Sequence, residues 1–179
     1  AAEPDGTSAL TLQRLGHIEE ESRRMKYLIE QLLQLAKLDS STLPVHKEIL
    51  DFDFVVCNSV FTYEPLLYDI GKSLAFEHDE NIFVNGDEQT LRQVVDILMD
   101  NAMKYSSDRT TVTVRLTTSK HCAVPSVESV GTPVRDEDLE KIFSKFYRGT
   151  SRAPGYGLGL PIASLIVREH EGHIWAETD

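Results

Sequence analysis

Three groups of residues in this chain have the types and spacing to handle a phosphate-bearing ligand. The first is Gly155, Gly157 and Gly159, which lead into the apolar run "LPIASLIV". A helix starting there presents unpaired backbone N–H groups and the positive end of its dipole to an anion. Glycine lets those groups approach a phosphate with no Cβ in the way. The second group is Asn101, with Lys104 one turn beyond it. An amide bordering a core needs a partner, because burying it unpaired costs about 1–3 kcal/mol. Its oxygen could meet backbone, or ligate Mg²⁺, a hard cation that takes oxygen donors and keeps several waters. Lys104 would then add positive charge for a phosphate. The third group is Arg148 and Arg152, between the aromatic pair Phe143 and Phe146 and the glycines. Guanidinium donors on a mobile lid suit a polyphosphate.

Two other phosphate loops fit poorly. A P-loop requires a Gly-Lys-Ser/Thr ending, which the glycines lack. A dinucleotide fingerprint wants a third glycine where Leu160 stands and a strand just before Gly155, where the chain has a basic loop. Glu177, about twenty residues on, is that reading's main support. A purely structural glycine turn is the plain alternative.

These groups need elements to hold them. Asn101 and Lys104 fall on "EQTLRQVVDILMDNAMKYS", an amphipathic helix opened by Asp87, with Leu91, Val94, Val95, Leu98 and Ala102 as its core stripe. Asn101 borders that stripe beside Ile97, and Asp96, about 100° round the helix, faces solvent. Upstream, "VHKEILDF" predicts a strand and "DFVVCNSVFTYEPLLYDIG" a helix carrying a proline. "KSLAFEHDENIFVNGD" predicts a hairpin with Asn81 in or near its turn. Downstream, "TTVTVRLTTSKHCAVPSVES" predicts two β segments about a turn near Ser119 and Lys120. "DEDLEKIFSKFYR" predicts a short helix anchored by Phe143 and Phe146, "LPIASLIVREH" another, and "HIWAET" a last strand. This order predicts an α/β (α+β) two-layer sandwich, its mixed sheet covered on one face by helices.

Ahead of the sandwich, "ALTLQRLGHIEEESRRMKYLIEQLLQLAKLDS" predicts one long bundle-type helix. Leu15, Ile18, Met25, Leu28, Leu32 and Leu35 form a seam at three- and four-residue steps that needs a partner. The plainer alternative folds this helix onto the domain that follows. The break "LDSSTLP" divides residues 1–43 from 44–179.

Composition narrows the function. The 18 Lys and Arg against 29 Asp and Glu give a net charge of −11, which argues against a protein that coats nucleic acid. No apolar run has the length of a membrane span, and no signal peptide is visible. Cys57 and Cys122 have no motif spacing and no local histidine, so they read as reduced, partly buried thiols of a cytoplasmic protein, outside any metal or disulfide site.

Taken in order, the motifs resemble the catalytic and ATP-binding domain of sensor histidine kinases of two-component systems, within the GHKL (Bergerat-fold) ATPase superfamily. "DILMDNAMKYS" resembles the asparagine box, "KIFSKFYR" the phenylalanine box and "GYGLGLPIA" the second glycine box. "HIEEESRRMKYLIEQLLQLAKLDS" resembles the second helix of the dimerisation and phosphotransfer hairpin. The resemblance implies ATP and Mg²⁺ as cofactors, with Asn101 on the metal and as a catalytic residue beside Lys104, Arg148 and Arg152. It implies nucleotide contacts from Asn101, Lys104, Tyr105, Ser129, Gly131, Gly155, Gly157, Leu158 and Gly159. The γ-phosphoryl group would pass to a histidine on the other hairpin helix, then to an aspartate in the receiver domain of a response regulator. A homodimer through the hairpin is implied, and the full-length protein is expected in a bacterial inner or plasma membrane with these residues on its cytoplasmic side.

Four departures stand out. In "ESVGTPV", Ser129 occupies the place of the aspartate that accepts the adenine amino group, and Pro133 replaces a glycine. A serine hydroxyl lacks the charge that strengthens such a bond, so modest ATP affinity is expected. Ile97 stands where the family often has a polar residue. No histidine has the family's acceptor pattern of a following acidic residue and Thr-Pro; His17 in "GHIEEES" comes nearest. The acceptor helix and a final strand are therefore expected outside this chain, which should bind nucleotide without phosphorylating itself. The alternatives are a pseudokinase scaffold that acts by dimerisation and response-regulator binding, and another ATPase of the superfamily.

Overall fold

The computed structural model describes residues 6–39, 46–149 and 155–178. Along the chain run α1 (Gly6–Asp39), β1 (Glu48–Asp51), α2 (Phe52–Asp69), β2 (Ser73–His78), β3 (Phe83–Gly86), α3 (Glu88–Tyr105), β4 (Thr111–Ser119), β5 (Cys122–Ser129) and α4 (Gly159–Glu169). Two aspartates convert strands into helices. Asp51 accepts the N–H of Phe54 at 3.1 Å to open α2, and Asp87 accepts that of Thr90 at 2.9 Å to open α3. Each satisfies a donor that a helix start leaves unpaired. Asp87 also accepts from the His46 N–H. Burial alone would raise its carboxyl, but these donors outweigh it and hold the group below its ordinary value.

β2 runs parallel to β4, and β4 pairs antiparallel with β5; β1 and β3 form a separate antiparallel pair. The stretch expected as one hairpin is therefore not one. Its halves, β2 and β3, belong to different ladders, and Asn81, at φ +62°, lies in the turn between them. What divides them is the demand for ladder partners: β3 pairs with β1, while β2 waits for β4 on the far side of α3. The expected turn after Ser119 does form. Lys120 and His121 both have positive φ, matching the right-handed twist of the flanking strands.

Val112, Val114 and Leu116 of β4 are fully buried against Val56, Val60 and Leu67 of α2 and Val95 and Met99 of α3. The opposite face of the sheet carries Arg115, ion-paired with Glu77 and Glu128 at exposed positions. Helices on one face and charges on the other make the two-layer sandwich. On α3, Met99 is fully buried and belongs to the core stripe; Leu98 is half-buried and turns to α4. Asp96 does not face solvent. Ser59 of α2 donates to its carboxylate and the Tyr63 hydroxyl to its carbonyl at 3.1 Å.

A second core gathers Leu158, Ile162, Ala163, Leu165 and Ile166 of the α4 region, Val94 of α3 and Leu35 of α1. The last turns of α1 thus dock on the domain, helped by Gln93 donating to Gln34 at 2.9 Å. Leu15, Ile18 and Met25 stay exposed. At its other end, α4 is tied to α3 by His170, whose Nε2 accepts the Asp87 N–H at 3.0 Å.

Three further expectations change. The stretch before the lid forms two short 3₁₀ turns, Asp136–Asp138 and Lys141–Phe143, in place of a helix. Phe143 is half-buried, but Phe146 is exposed with φ +64° and anchors no face. Residues 173–178 form no strand, since no neighbouring strand pairs with them among the described residues. Cys57 is half-buried as expected; Cys122, opening β5 at the hairpin turn, is exposed.

Candidate functional site

The C-terminal half of α3, the end of β5 and the start of α4 converge on one open cleft. It is lined by Asn101, Lys104, Tyr105, Ser129, Gly131, Arg148, Gly155, Gly157, Leu158 and Gly159. Of the expected site residues, Arg152 lies outside the described residues.

Asn101 has the most informative environment. Its Nδ2 is buried and has no hydrogen-bond partner. Native proteins rarely leave such a group unpaired, because its desolvation is not repaid. Rotating the amide by half a turn exchanges its N and O, so this place offers either an N–H to a phosphate oxygen or a carbonyl oxygen to a hard cation. The donor chemistry fits a Mg²⁺-bound polyphosphate.

The glycines have distinct tasks. Gly157, at φ +68°, accepts the Phe146 N–H through its carbonyl at 3.0 Å, and a Cβ there would sit 2.5 Å from the Tyr147 carbonyl oxygen. A side chain at Gly131 would press on the carbonyl oxygen of Tyr105, where the chain leaving β5 bridges to Ser106. Ser107 adds an N–H to the Val130 carbonyl at 2.7 Å. These contacts fix the end of α3 beside Ser129, whose side chain is exposed at the last position of β5. Leu158 is the buried cap position of α4 and supplies no side-chain hydrogen bond to the first turn. Pro161 has no N–H, so the uncapped donors are those of Gly159 and Leu160, both bordering the cleft.

Ile97 is apolar for a reason visible here. Its Cγ2 lies 3.3 Å from where a Cβ on Gly159 would be, so it packs against the start of α4. Lys104 pairs with Asp100, one turn back on α3. Tyr105 is partly exposed at the rim. Tyr27 of α1 borders the same rim, its phenol raised by partial burial and by the Asp100 charge.

Asp138 was not visible as a site residue in the sequence, although it organises the wall below Arg148. Its carboxylate is hydrogen-bonded to the Tyr147 phenol, to Lys141 at 3.1 Å and to Arg135 at 2.8 Å. These donors, Tyr147 and Lys141 foremost, pull it down to about 2. A carboxyl lowered on folding stabilises the native state above its unfolded pKa and loses that contribution as pH falls through the folded one. The wall should therefore hold at pH 5 and loosen between about pH 4 and 2. Amide exchange of residues 135–147 should quicken over that range in the wild type and already be quick at pH 5 in Asp138→Asn.

Comparison with known proteins gives the family of this chain. Residues 86–179 match the family model described as histidine kinase-, DNA gyrase B- and HSP90-like ATPase. The sensor histidine kinase CusS of Escherichia coli is 34% identical over 164 residues, covering 89% of this chain and 34% of its own length. The chain spans only 29–42% of the length of such curated relatives. Among solved structures, full-length ShkA in complex with AMPPNP superposes with a TM-score of 0.81 at 20% identity, over 93% of this chain and 36% of that one. The histidine kinase ThkA in complex with the response regulator TrrA gives 0.74 at 20%, over 100% and 49%. Likenesses at that identity speak for the fold. No helix among the described residues is long and apolar enough to cross a membrane. The family match extends from the cap of α3 through the glycine turn to α4 and covers more than half of the sequence: the chain belongs to the histidine kinase-, DNA gyrase B- and HSP90-like ATPases, and its relatives are sensor histidine kinases.

Proposed function

We propose that this chain is the kinase core of a two-component sensor histidine kinase. Residues 44–179 form the catalytic ATP-binding domain and residues 1–43 the second helix of the dimerisation and phosphotransfer hairpin. The observation that carries the reading is the buried, unpartnered amide of Asn101, beside the uncapped start of α4. Bound Mg²⁺–ATP supplies the phosphoryl group and a cation that neutralises its charge. Asn101 holds the metal through its amide oxygen. Lys104, released from Asp100, turns its ammonium toward phosphate, and Tyr105 shields the rim. Ser129 accepts from the adenine amino group, and Gly131 keeps the neighbouring backbone close. The N–H groups of the turn from Gly155 to Gly159 meet the phosphates, with Leu158 anchoring the turn in the second core. Arg148 and Arg152 steady the transferring group. Phosphoryl transfer asks mainly for positioning and charge stabilisation, which this set supplies.

The acceptor is a histidine of another helix. His17 lies on an exposed face of α1 without the acceptor pattern, so the chain binds nucleotide and does not phosphorylate itself. The phosphoryl group then passes to a response-regulator aspartate; the complex of ThkA with TrrA supports such a partner. The exposed Leu15, Ile18 and Met25 support a homodimer through the hairpin, and relatives named as sensors support a membrane location for the full-length protein.

The test is calorimetric titration with a non-hydrolysable ATP analogue, with and without Mg²⁺. Binding should require Mg²⁺ and weaken more than about tenfold in Asn101→Ala, since a charge-assisted contact is worth about 1.5–3 kcal/mol. No binding at millimolar nucleotide would overturn the reading in favour of the scaffold, which draws support from Ser129, Pro133 and the Lys104–Asp100 pair.

A further inference from the structure

Away from the nucleotide cleft, the fold brings together three side chains that the sequence keeps apart. Asp53 and Cys57 lie one turn apart on α2, and His78 ends β2. Asp53 Oδ1 is 2.7 Å from His78 Nδ1 and 3.4 Å from Cys57 Sγ, and the three ligand atoms all lie within 4.8 Å of one another. Ligands placed tetrahedrally about a zinc ion, at bonds of about 2.0–2.3 Å, are about 3.3–3.8 Å apart. Shifts of about 1 Å or less would therefore admit an ion among them. The imidazole is already oriented: Phe76 stacks on it at 4.7 Å and 12°, and Phe61 meets Phe76 edge-on. None of the three residues borders the nucleotide cleft.

We propose that Asp53, Cys57 and His78 bind a borderline-soft transition-metal dication of the zinc class, clipping the first turns of α2 to the end of β2. A thiolate, an imidazole and a carboxylate form a mixed S, N, O set that suits Zn²⁺ far better than Mg²⁺. His78 is partly exposed, which leaves a fourth position to water. In the metal-free chain the Cys57 thiol donates to Asp53, and burial together with that bond pushes it up to about 11. Binding must therefore expel the thiol proton, and with it the hydrogen bonds now linking the trio. Cys57, set aside in the sequence for want of a nearby histidine, acquires one because β2 lies alongside α2.

The experiment titrates the reduced, metal-free chain with Co²⁺ in excess Mg²⁺, followed by Zn²⁺. One equivalent of Co²⁺ should raise a thiolate-to-cobalt charge-transfer band that Zn²⁺ then displaces. Zn²⁺ alone should raise the unfolding temperature. Cys57→Ser and His78→Ala should each weaken binding more than about tenfold, and Cys122→Ser should leave it unchanged. His78 is partly exposed, so its variant tests the site without disturbing the core; circular dichroism checks the fold of both. No saturable band, a band that survives in Cys57→Ser, unchanged affinity in His78→Ala, or a band lost in Cys122→Ser would each overturn the proposal.

Discussion

Gly157→Ala should abolish measurable nucleotide binding at the cost of only a few degrees in melting temperature. The position is left-handed at φ +68°, which costs a non-glycine residue about 1–3 kcal/mol. The added Cβ would also sit 2.5 Å from the Tyr147 carbonyl oxygen and 2.9 Å from the Phe146 carbonyl carbon. Both are backbone atoms, held by the hydrogen bond from the Phe146 N–H to Gly157, so neither can yield cheaply. The turn that aims the start of α4 into the cleft would have to open. We expect affinity to fall more than about a hundredfold, the equivalent of about 2.7 kcal/mol. Stability should fall by no more than that strain, about 1–3 kcal/mol, because Gly157 contributes no side chain to either core. Gly149→Ala is the matched control: no atom lies within 4 Å of its added Cβ, and its φ is ordinary. Calorimetry on the two variants decides the matter, and equal affinities would remove Gly157 from the binding machinery.

Met99→Ala should do the reverse. Met99 is fully buried among Val95, Val112, Val114 and Leu116, where α3 meets the sheet. Cutting it to alanine leaves a void that close-packed neighbours only partly fill, at about 2–5 kcal/mol. Against a domain stability of about 5–15 kcal/mol, that is a large share. Two positions separate it from Asn101, about 200° round the helix, so the side chains point to opposite sides. Urea unfolding should show a lower midpoint with an unchanged slope, and nucleotide affinity measured well below the new midpoint should hold. A loss under about 1 kcal/mol would mean the sheet and α2 collapse onto the gap.

Much of the cleft was legible because its parts are local. Asn101 borders the apolar stripe of one helix, and the glycine turn sits at the mouth of another; periodicity and composition suffice to place both. What lay hidden is what depends on pairing across the chain. β2 and β3 look like a hairpin because both are β-rich and a turn lies between them, but nothing local says that β2 will pair with β4. Met99 escaped for a related reason: the stripe can be drawn through Leu98 or Met99 until the sheet and α4 are known to lie on different sides of α3. Asp138 read as one acid in a charged stretch, and its meaning comes from a tyrosine nine positions later. Phe143 and Phe146 look like one helical face only if the stretch is helical, and the hydrogen bond of Phe146 to Gly157 forbids that. The departure at Ile97 was legible, but its cause, the approach of Gly159, was not.

The hydrogen bond between His170 and Asp87 makes α4 a lever with its fulcrum at the end remote from the glycine turn. Its 11 residues span about 16 Å, so a tilt of about 10° about that bond carries the start of the helix about 3 Å. Three ångströms is the difference between an N–H that touches an anion and one that merely faces it. Leu35 of α1 shares a core with α4, so the seam helix rests on the same lever. Mechanical advantage, built into the length of one short helix and the place where it is pinned, thus connects the seam helix to the mouth of the cleft.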